Sequence, residues 1–213
     1  MIPTQPKQQI EMNIDSVKLE GILRIPNEPL GIVLFVHGAG SSRLSPRNNY
    51  VAEILFKAKI ATLLFDLLTE EEDQIYANRF DIKLLTKRLT GATKWVSLRS
   101  QTKNLFLGYF GASTGAAAAI FAAAALGKTI RAIVSRGGRP DLASNALFAV
   151  KAPTLLIVGQ NDPDVLELNR QSLKKIKSIK KLVIIPNAGH LFEEEGALEQ
   201  VANFAKAWFQ KYL

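Results

Sequence analysis

The sequence predicts an α/β fold, a mostly parallel sheet of about eight strands with helices on both faces. Three observations carry that expectation. Short apolar runs rich in β-branched residues recur along the chain, and segments with apolar residues spaced by three and four lie between them. The runs are apolar almost without interruption, as strands are when both faces of a sheet are covered.

The elements follow in order. Gln8 to Asp15 and Val17 to Arg24 read as an antiparallel hairpin. Gly31 to Val36 is the first buried strand, and Ser45 followed by Pro46 supplies an N-cap and first helical position for a helix whose face is Val51, Ile54, Leu55 and Ala58. Ile60 to Asp66 is the next strand. Ile82, Leu85, Leu89, Ala92 and Val96 then mark a helix face. Leu105 to Phe110, Ile130 to Ser135, Pro153 to Val158 and Leu182 to Ile185 complete the strands. Ala116 to Leu126 is a helix of small residues suited to close packing on a sheet, and Val201, Phe204, Ala205, Trp208 and Tyr212 form the last helical face. No composition shift or repeat interrupts residues 1–213, which read as one domain in which 1–16 form an N-terminal segment and the first strand.

Composition narrows the chemistry. With 213 residues and 47% hydrophobic content, the chain is long enough to bury a core without staples. It contains no Cys, which removes disulfides, thiolate metal sites and a thiol nucleophile, and only two His, too few for a histidine metal centre. No metal or organic cofactor is expected. Residues 1–15 hold no apolar run fit for a signal peptide or membrane span, so the expectation is a cytoplasmic protein that does not engage a membrane. The formal charge of +8 would ordinarily suggest nucleic acid. Six of those charges, however, come from Arg170, Lys174, Lys175, Lys177, Lys180 and Lys181 between Leu168 and Lys181, a helix-like stretch with no acid and no interleaved aromatics. A solvated face is the expectation, and nucleic acid is not expected as a partner.

In parallel sheets, ligands bind beyond the carboxyl ends of the strands, and four such ends carry unusual residues here. Gly111-Ala112-Ser113-Thr114-Gly115 joins a strand directly to a helix, in the pattern glycine, any residue, serine, any residue, glycine. That is a nucleophile elbow: the serine occupies a strained turn, and glycines on either side let strand and helix approach. Ser113 is the candidate nucleophile. Gly159-Gln160-Asn161-Asp162-Pro163 and Pro186-Asn187-Ala188-Gly189-His190 leave two later strands, giving the chain order serine, acid, histidine. Asp162 and His190 are the candidate orienter and base, with Asp164 as a competing acid that would otherwise cap the following helix. Val36-His37-Gly38-Ala39-Gly40-Ser41-Ser42 follows the first buried strand. Its amides can face the site, so Ala39 N–H and Thr114 N–H are the candidate oxyanion hole, with His37 organising the loop and Gly38 close to substrate. Two phosphate-loop readings fail: Arg43 stands where a dinucleotide fingerprint needs its third glycine, and Ala122 where a P-loop before Gly127-Lys128 needs its first.

These residues resemble the α/β-hydrolase superfamily. Ser45-Pro46-Arg47-Asn48, Leu64-Phe65-Asp66-Leu67-Leu68, Ser135-Arg136-Gly137-Gly138-Arg139-Pro140-Asp141-Leu142 and His190-Leu191-Phe192-Glu193-Glu194 are similar to a small bacterial dienelactone-hydrolase-like group within it. The resemblance covers about residues 17 to 213 and implies an α/β-hydrolase fold and hydrolysis of a small carboxylic ester or related acyl compound through Ser113, Asp162 and His190. Dienelactone hydrolases proper use cysteine, so their substrate is not carried over. Many relatives insert a cap domain before the acid strand. Here Arg136 to Ala152 leave room only for one short helix and loops, which predicts an uncapped, open cleft. Arg136 and Arg139 are candidates to face it and select an anionic substrate, unless they pair with acids such as Asp141 or Asp66. The acidic run Glu70 to Asp73, with Tyr76 on the loop after Asp66, reads as a solvated loop, with a place on the rim of the cleft as the alternative. An acyltransferase, a thioesterase or a non-catalytic binding protein on this fold remain alternatives, and the oligomeric state is not legible.

Overall fold

The structure, a computed structural model, describes residues 7–213; residues 1–6 of the expected N-terminal segment lie outside the described residues. Eight strands form one sheet in the order β1-β2-β4-β3-β5-β6-β7-β8. β1 (Gln8–Ile14) and β2 (Val17–Arg24) are the hairpin, and β2 pairs antiparallel with β4 (Ile60–Phe65). From β4 onward every neighbour is parallel: β3 (Gly31–Val36), β5 (Phe106–Ala112), β6 (Ile130–Arg136), β7 (Thr154–Gly159) and β8 (Lys180–Ile185). All carboxyl ends of the parallel strands therefore open at one edge.

Helices cover both faces. On one side α3 (Ile82–Leu98) and α4 (Thr114–Leu126) pack over the centre, with α5 (Pro163–Lys175) beside them. The alanines of α4 let it lie flat on the sheet, and nine of its residues are buried, too many for an amphipathic surface helix. On the other side α1 (Pro46–Lys57) packs against α6 (Ala197–Tyr212), over a core that includes Phe35, Phe110 and Phe209. Ser45 caps α1 through Asn48 N–H, with Pro46 at its first position.

Several boundaries differ from those expected. β5 runs to Ala112 and β6 to Arg136 because these two residues still pair across the strands. The basic stretch is not one helix: α5 ends at Lys175, and Lys180 and Lys181 open β8, held in register with Thr154 and Leu155. Glu70 to Asp73 lie in a short helix, α2 (Glu70–Gln74). Thr69 and Glu72 close a reciprocal capping box there, which residue spacing allowed but the loop expectation overlooked. Between β6 and β7 the chain makes only two 3₁₀ turns, Pro140–Ala143 and Leu147–Ala149, and no cap domain stands over the sheet among the described residues. No helix among them is long and apolar enough to cross a membrane.

Candidate active site

Ser113 sits in the single residue between β5 and α4, at φ 49° and ψ −124°. A left-handed φ on a residue with a Cβ costs about 1–3 kcal/mol and persists only where the surroundings force it. Here the forcing groups are identifiable. A Cβ on Gly115 would lie 2.1 Å from Val36 O, and one on Gly111 would lie 2.6 Å from Ala116 Cα. Strand, turn and helix are thus closer than any side chain permits. Ser113 N–H donates to Arg136 O (3.3 Å), and Ser113 O accepts from Ala116 N–H (3.1 Å) and Arg139 N–H (3.0 Å). The backbone is fixed while the half-buried hydroxyl makes no hydrogen bond among the described residues.

Asp162 follows β7 and occupies the N-cap position of α5, yet its carboxylate makes no cap bond. Instead Oδ2 accepts from His190 Nδ1 at 2.6 Å, with side-chain exposures of 15% for the acid and 41% for the imidazole. The competing Asp164 lies in the first turn of α5. The two loops are clipped together by Asn161 Nδ2 donating to Asn187 O (2.9 Å) and Asn187 N–H donating to Gln160 Oε1 (3.0 Å). With Nδ1–H given to Asp162, the hydrogen-bond network assigns Nε2 as the free, proton-accepting nitrogen. The imidazole lies beside Gly137, where a Cβ would meet His190 Cε1 at 3.5 Å, and Gly137 directly follows the residue that holds Ser113 N–H. Serine and histidine therefore share one end of the sheet without a direct hydrogen bond.

The loop after β3 lies against the elbow: a Cβ on Gly38 would be 2.9 Å from Ser113 Cβ. His37 is buried and anchors this loop with both nitrogens, Nδ1 on Gly38 O (3.0 Å) and Nε2 accepting from Leu67 N–H (3.0 Å). Burial pushes its pKa below the ordinary imidazole value, against the opposing pull of the Gly38 carbonyl, Asp66 and Asp73. Ala39 and Thr114 are also brought together, but not as two parallel amides. Ala39 N–H donates to the Thr114 hydroxyl at 3.0 Å. Residue spacing placed the Thr114 amide here and missed its side chain; a hydroxyl directly after the serine was the signal.

The two arginines part company. Arg139 forks onto Asp141, at 2.9 Å from Nε and 2.8 Å from Nη2, and Asp66 is taken by Arg43. Arg136 is buried at 8% exposure and reaches only Asn48 Oδ1, at 3.4 Å. No cluster of three or more His, Cys, Asp or Glu among the described residues is placed to hold a metal ion.

Comparison with known proteins agrees with this architecture. A dienelactone hydrolase from Anabaena variabilis has a crystal structure that superposes with a TM-score of 0.96 at 55% identity, covering 99% of each chain. Est1E from Butyrivibrio proteoclasticus superposes at 0.82 with 16% identity, over 95% of this chain and 98% of its own. The Pyrococcus furiosus esterase Pf2001 superposes at 0.73 with 22% identity, over 96% and 93%. These two share the fold. A Mycobacterium tuberculosis protein provisionally named a phosphoribosyl transferase is 52% identical over 211 residues, 99% of this chain but 48% of that protein. The chain thus spans about half the length of the curated relatives it matches. The dienelactone hydrolase family profile matches residues 50–213, and with the 55% identity to a solved member this establishes that the chain belongs to the dienelactone hydrolase family, on the α/β-hydrolase fold.

Proposed function

We propose that this protein is a serine hydrolase that cleaves a small carboxylic ester or related acyl compound through Ser113, His190 and Asp162. The observation that carries this reading is a strained serine held at the end of β5, with an Asp162–His190 pair at 2.6 Å on the adjoining loops. His190 Nε2 takes the Ser113 proton as Oγ attacks the carbonyl carbon, and then returns it to the leaving alkoxide. Asp162 keeps Nδ1 protonated and offsets the charge of the imidazolium. Water then enters, gives a proton to His190 and attacks the acyl carbon; Ser113 leaves with that proton and the acid is released.

The oxyanion is held at the α4 N-terminus, where the Thr114 amide has no preceding helical carbonyl to satisfy it. Thr114 Oγ1 accepts from Ala39 N–H and keeps its own proton to give. Gly38 lets the loop after β3 close against the nucleophile, since a Cβ there would stand 2.9 Å from Ser113 Cβ. The phosphoribosyl transferase name belongs to proteins about twice as long, and the Ser113 site supplies no independent support for that activity.

Fluorophosphonate labelling mapped by peptide mass spectrometry tests the nucleophile: Ser113 carries the label, and Ser113→Ala abolishes both labelling and turnover of p-nitrophenyl esters. Full turnover by that variant would refute the assignment. A panel of esters, thioesters and lactones then identifies the acyl compound.

A further inference from the structure

Asn169 lies in the middle of α5, and no part of it reaches solvent (0% exposed). Asparagine is a poor helix former, and a buried amide is unfavourable unless its polar atoms are paired. Nδ2 donates twice, to Val165 O one turn back in the helix (2.8 Å) and to Gly138 O outside it (2.9 Å). Two carbonyl oxygens face that atom, so the amide nitrogen must stand there. Oδ1, in turn, is sealed from solvent with no donor among the described residues, a loss of about 1–3 kcal/mol. An apolar side chain of the same shape would avoid that loss, so packing alone does not account for an amide at this position.

The amide holds the segment that carries the nucleophile. Gly138 lies between Arg136, whose carbonyl accepts from Ser113 N–H (3.3 Å), and Arg139, whose N–H donates to Ser113 O (3.0 Å). Residues 136–139 thus grip the strained serine on both sides of its Cα. Gly137, at φ 50°, donates to Ile157 O (2.8 Å), and a Cβ on it would lie 3.1 Å from His190 O. A Cβ on Gly138 would stand 2.0 Å from Ser135 Oγ, so this turn has no slack on the strand side. Its hold on the other side is Asn169. The same helix begins at Asp162, about two turns earlier, so α5 joins the triad's acid to the clamp around the triad's serine. Ser172, the next buried polar residue of α5, differs: its hydroxyl donates to Leu168 O of its own helix (2.8 Å) and to nothing beyond.

We infer that Asn169 is a positioning residue for attack by Ser113: its hydrogen bond to the Gly138 carbonyl fixes residues 136–139, and through them the serine backbone, relative to the Asp162–His190 pair. It touches neither substrate nor reacting atoms and acts through the backbone it holds. A reactive oxygen displaced by a fraction of an ångström from its base and its target carbon reacts more slowly, although the substrate still binds. This assignment rests on the serine hydrolase reading and adds to it a residue that no motif marks.

Three variants test it on p-nitrophenyl butyrate. Asn169→Leu keeps the shape and removes the donor: kcat drops by about 10- to 100-fold with KM within about twofold, and the rate of fluorophosphonate labelling at Ser113 drops with it. Ser172→Ala, which removes a buried hydroxyl from the same helix without touching the clamp, keeps the wild-type kcat. Asn169→Asp has the shape of the amide but can donate to Gly138 O only while its carboxyl is protonated, and burial favours that neutral form. Its kcat as a fraction of the wild-type value therefore rises as pH is lowered from about 8.5 to about 6, a ratio in which the titration of His190 cancels. Equal kcat for Asn169→Leu and Ser172→Ala, or a loss confined to KM, overturns this inference alone, since labelling and turnover of the wild type still support the hydrolase reading. If Asn169→Leu does not fold, the Asn169→Asp ratio decides, and a ratio flat with pH overturns the inference. A wild type that neither takes the label nor cleaves the ester overturns the hydrolase reading and this inference together.

Discussion

The chain's two histidines occupy loops at the same end of the sheet, and their surroundings give them opposite work. His37, after β3, is buried and has both nitrogens committed to backbone, one to Gly38 O and one to Leu67 N–H. His190, after β8, is 41% exposed at its side chain and commits only Nδ1, to Asp162. An imidazole with no free nitrogen can tie loops together but cannot relay a proton. One with a single free nitrogen can do so, and its partner fixes which nitrogen that is.

Exchanging this division of work is the sharpest test. His190→Ala is expected to lower kcat by about 10⁴-fold or more, since base and acid are lost together, with Tm nearly unchanged because the side chain is exposed. Steady-state kinetics and a thermal melt on the same preparation check both halves. Turnover that survives His190→Ala, or a large fall in Tm, would place His190 in the wrong class. His37→Ala should do the reverse. It strands the Leu67 amide and the Gly38 carbonyl in a buried region, and about 1–3 kcal/mol of stability is expected to go, read by urea titration. Its effect on kcat is smaller than that of His190→Ala.

How much of this was readable from sequence differs residue by residue. The elbow was readable because its geometry is enforced by covalent shape: only hydrogen side chains fit at Gly111 and Gly115, so the spacing itself encodes the turn. The strands around it followed from their apolar runs, since buried parallel strands are apolar throughout, whereas their order in the sheet did not. Side-chain partners were another matter. Arg139 could be matched to Asp141 because the acid is two residues away on a tight turn. Nothing local indicates that Arg136, on the same short segment, points to the α1 and α6 side and finds no acid there, because that depends on what α1 carries in its first turn. The Thr114 hydroxyl on Ala39 N–H was hidden for the same reason: spacing gives proximity, while rotamer and donor geometry come from packing. The basic stretch shows the converse error, in which shared charge suggested one element although Lys180 and Lys181 belong to a strand fixed by pairing with β7.

The loop anchored by His37 meets the elbow at Thr114, and a smaller effect is expected there. Thr114→Val removes the acceptor for Ala39 N–H together with a hydroxyl proton near the developing oxyanion. A fall in kcat of about tenfold, with KM little changed, is expected, and Thr114→Ser should recover most of it. Equal kinetics for the Val and Ser variants would show that the two loops do not cooperate through this hydroxyl.

The smallest effect separates the two histidines by pH. Burial lowers the pKa of His37 below its ordinary value, so the folded protein resists a proton that the unfolded chain accepts. With more protons bound to the unfolded state, stability rises with pH; equivalently, it is fully present above the unfolded value of about 6.5 and is lost as pH falls toward the lower folded value. One site can contribute at most about 1.4 kcal/mol per pH unit over that window, because only one proton is exchanged. Urea unfolding at several pH values between 7.5 and 5, compared between wild type and His37→Asn, isolates this contribution. The wild type should lose more stability on acidification than the variant, which has no imidazole at this position. Identical slopes would mean that protonated His37 is tolerated in the fold, and the clamp between Gly38 and Leu67 would then have to open without cost.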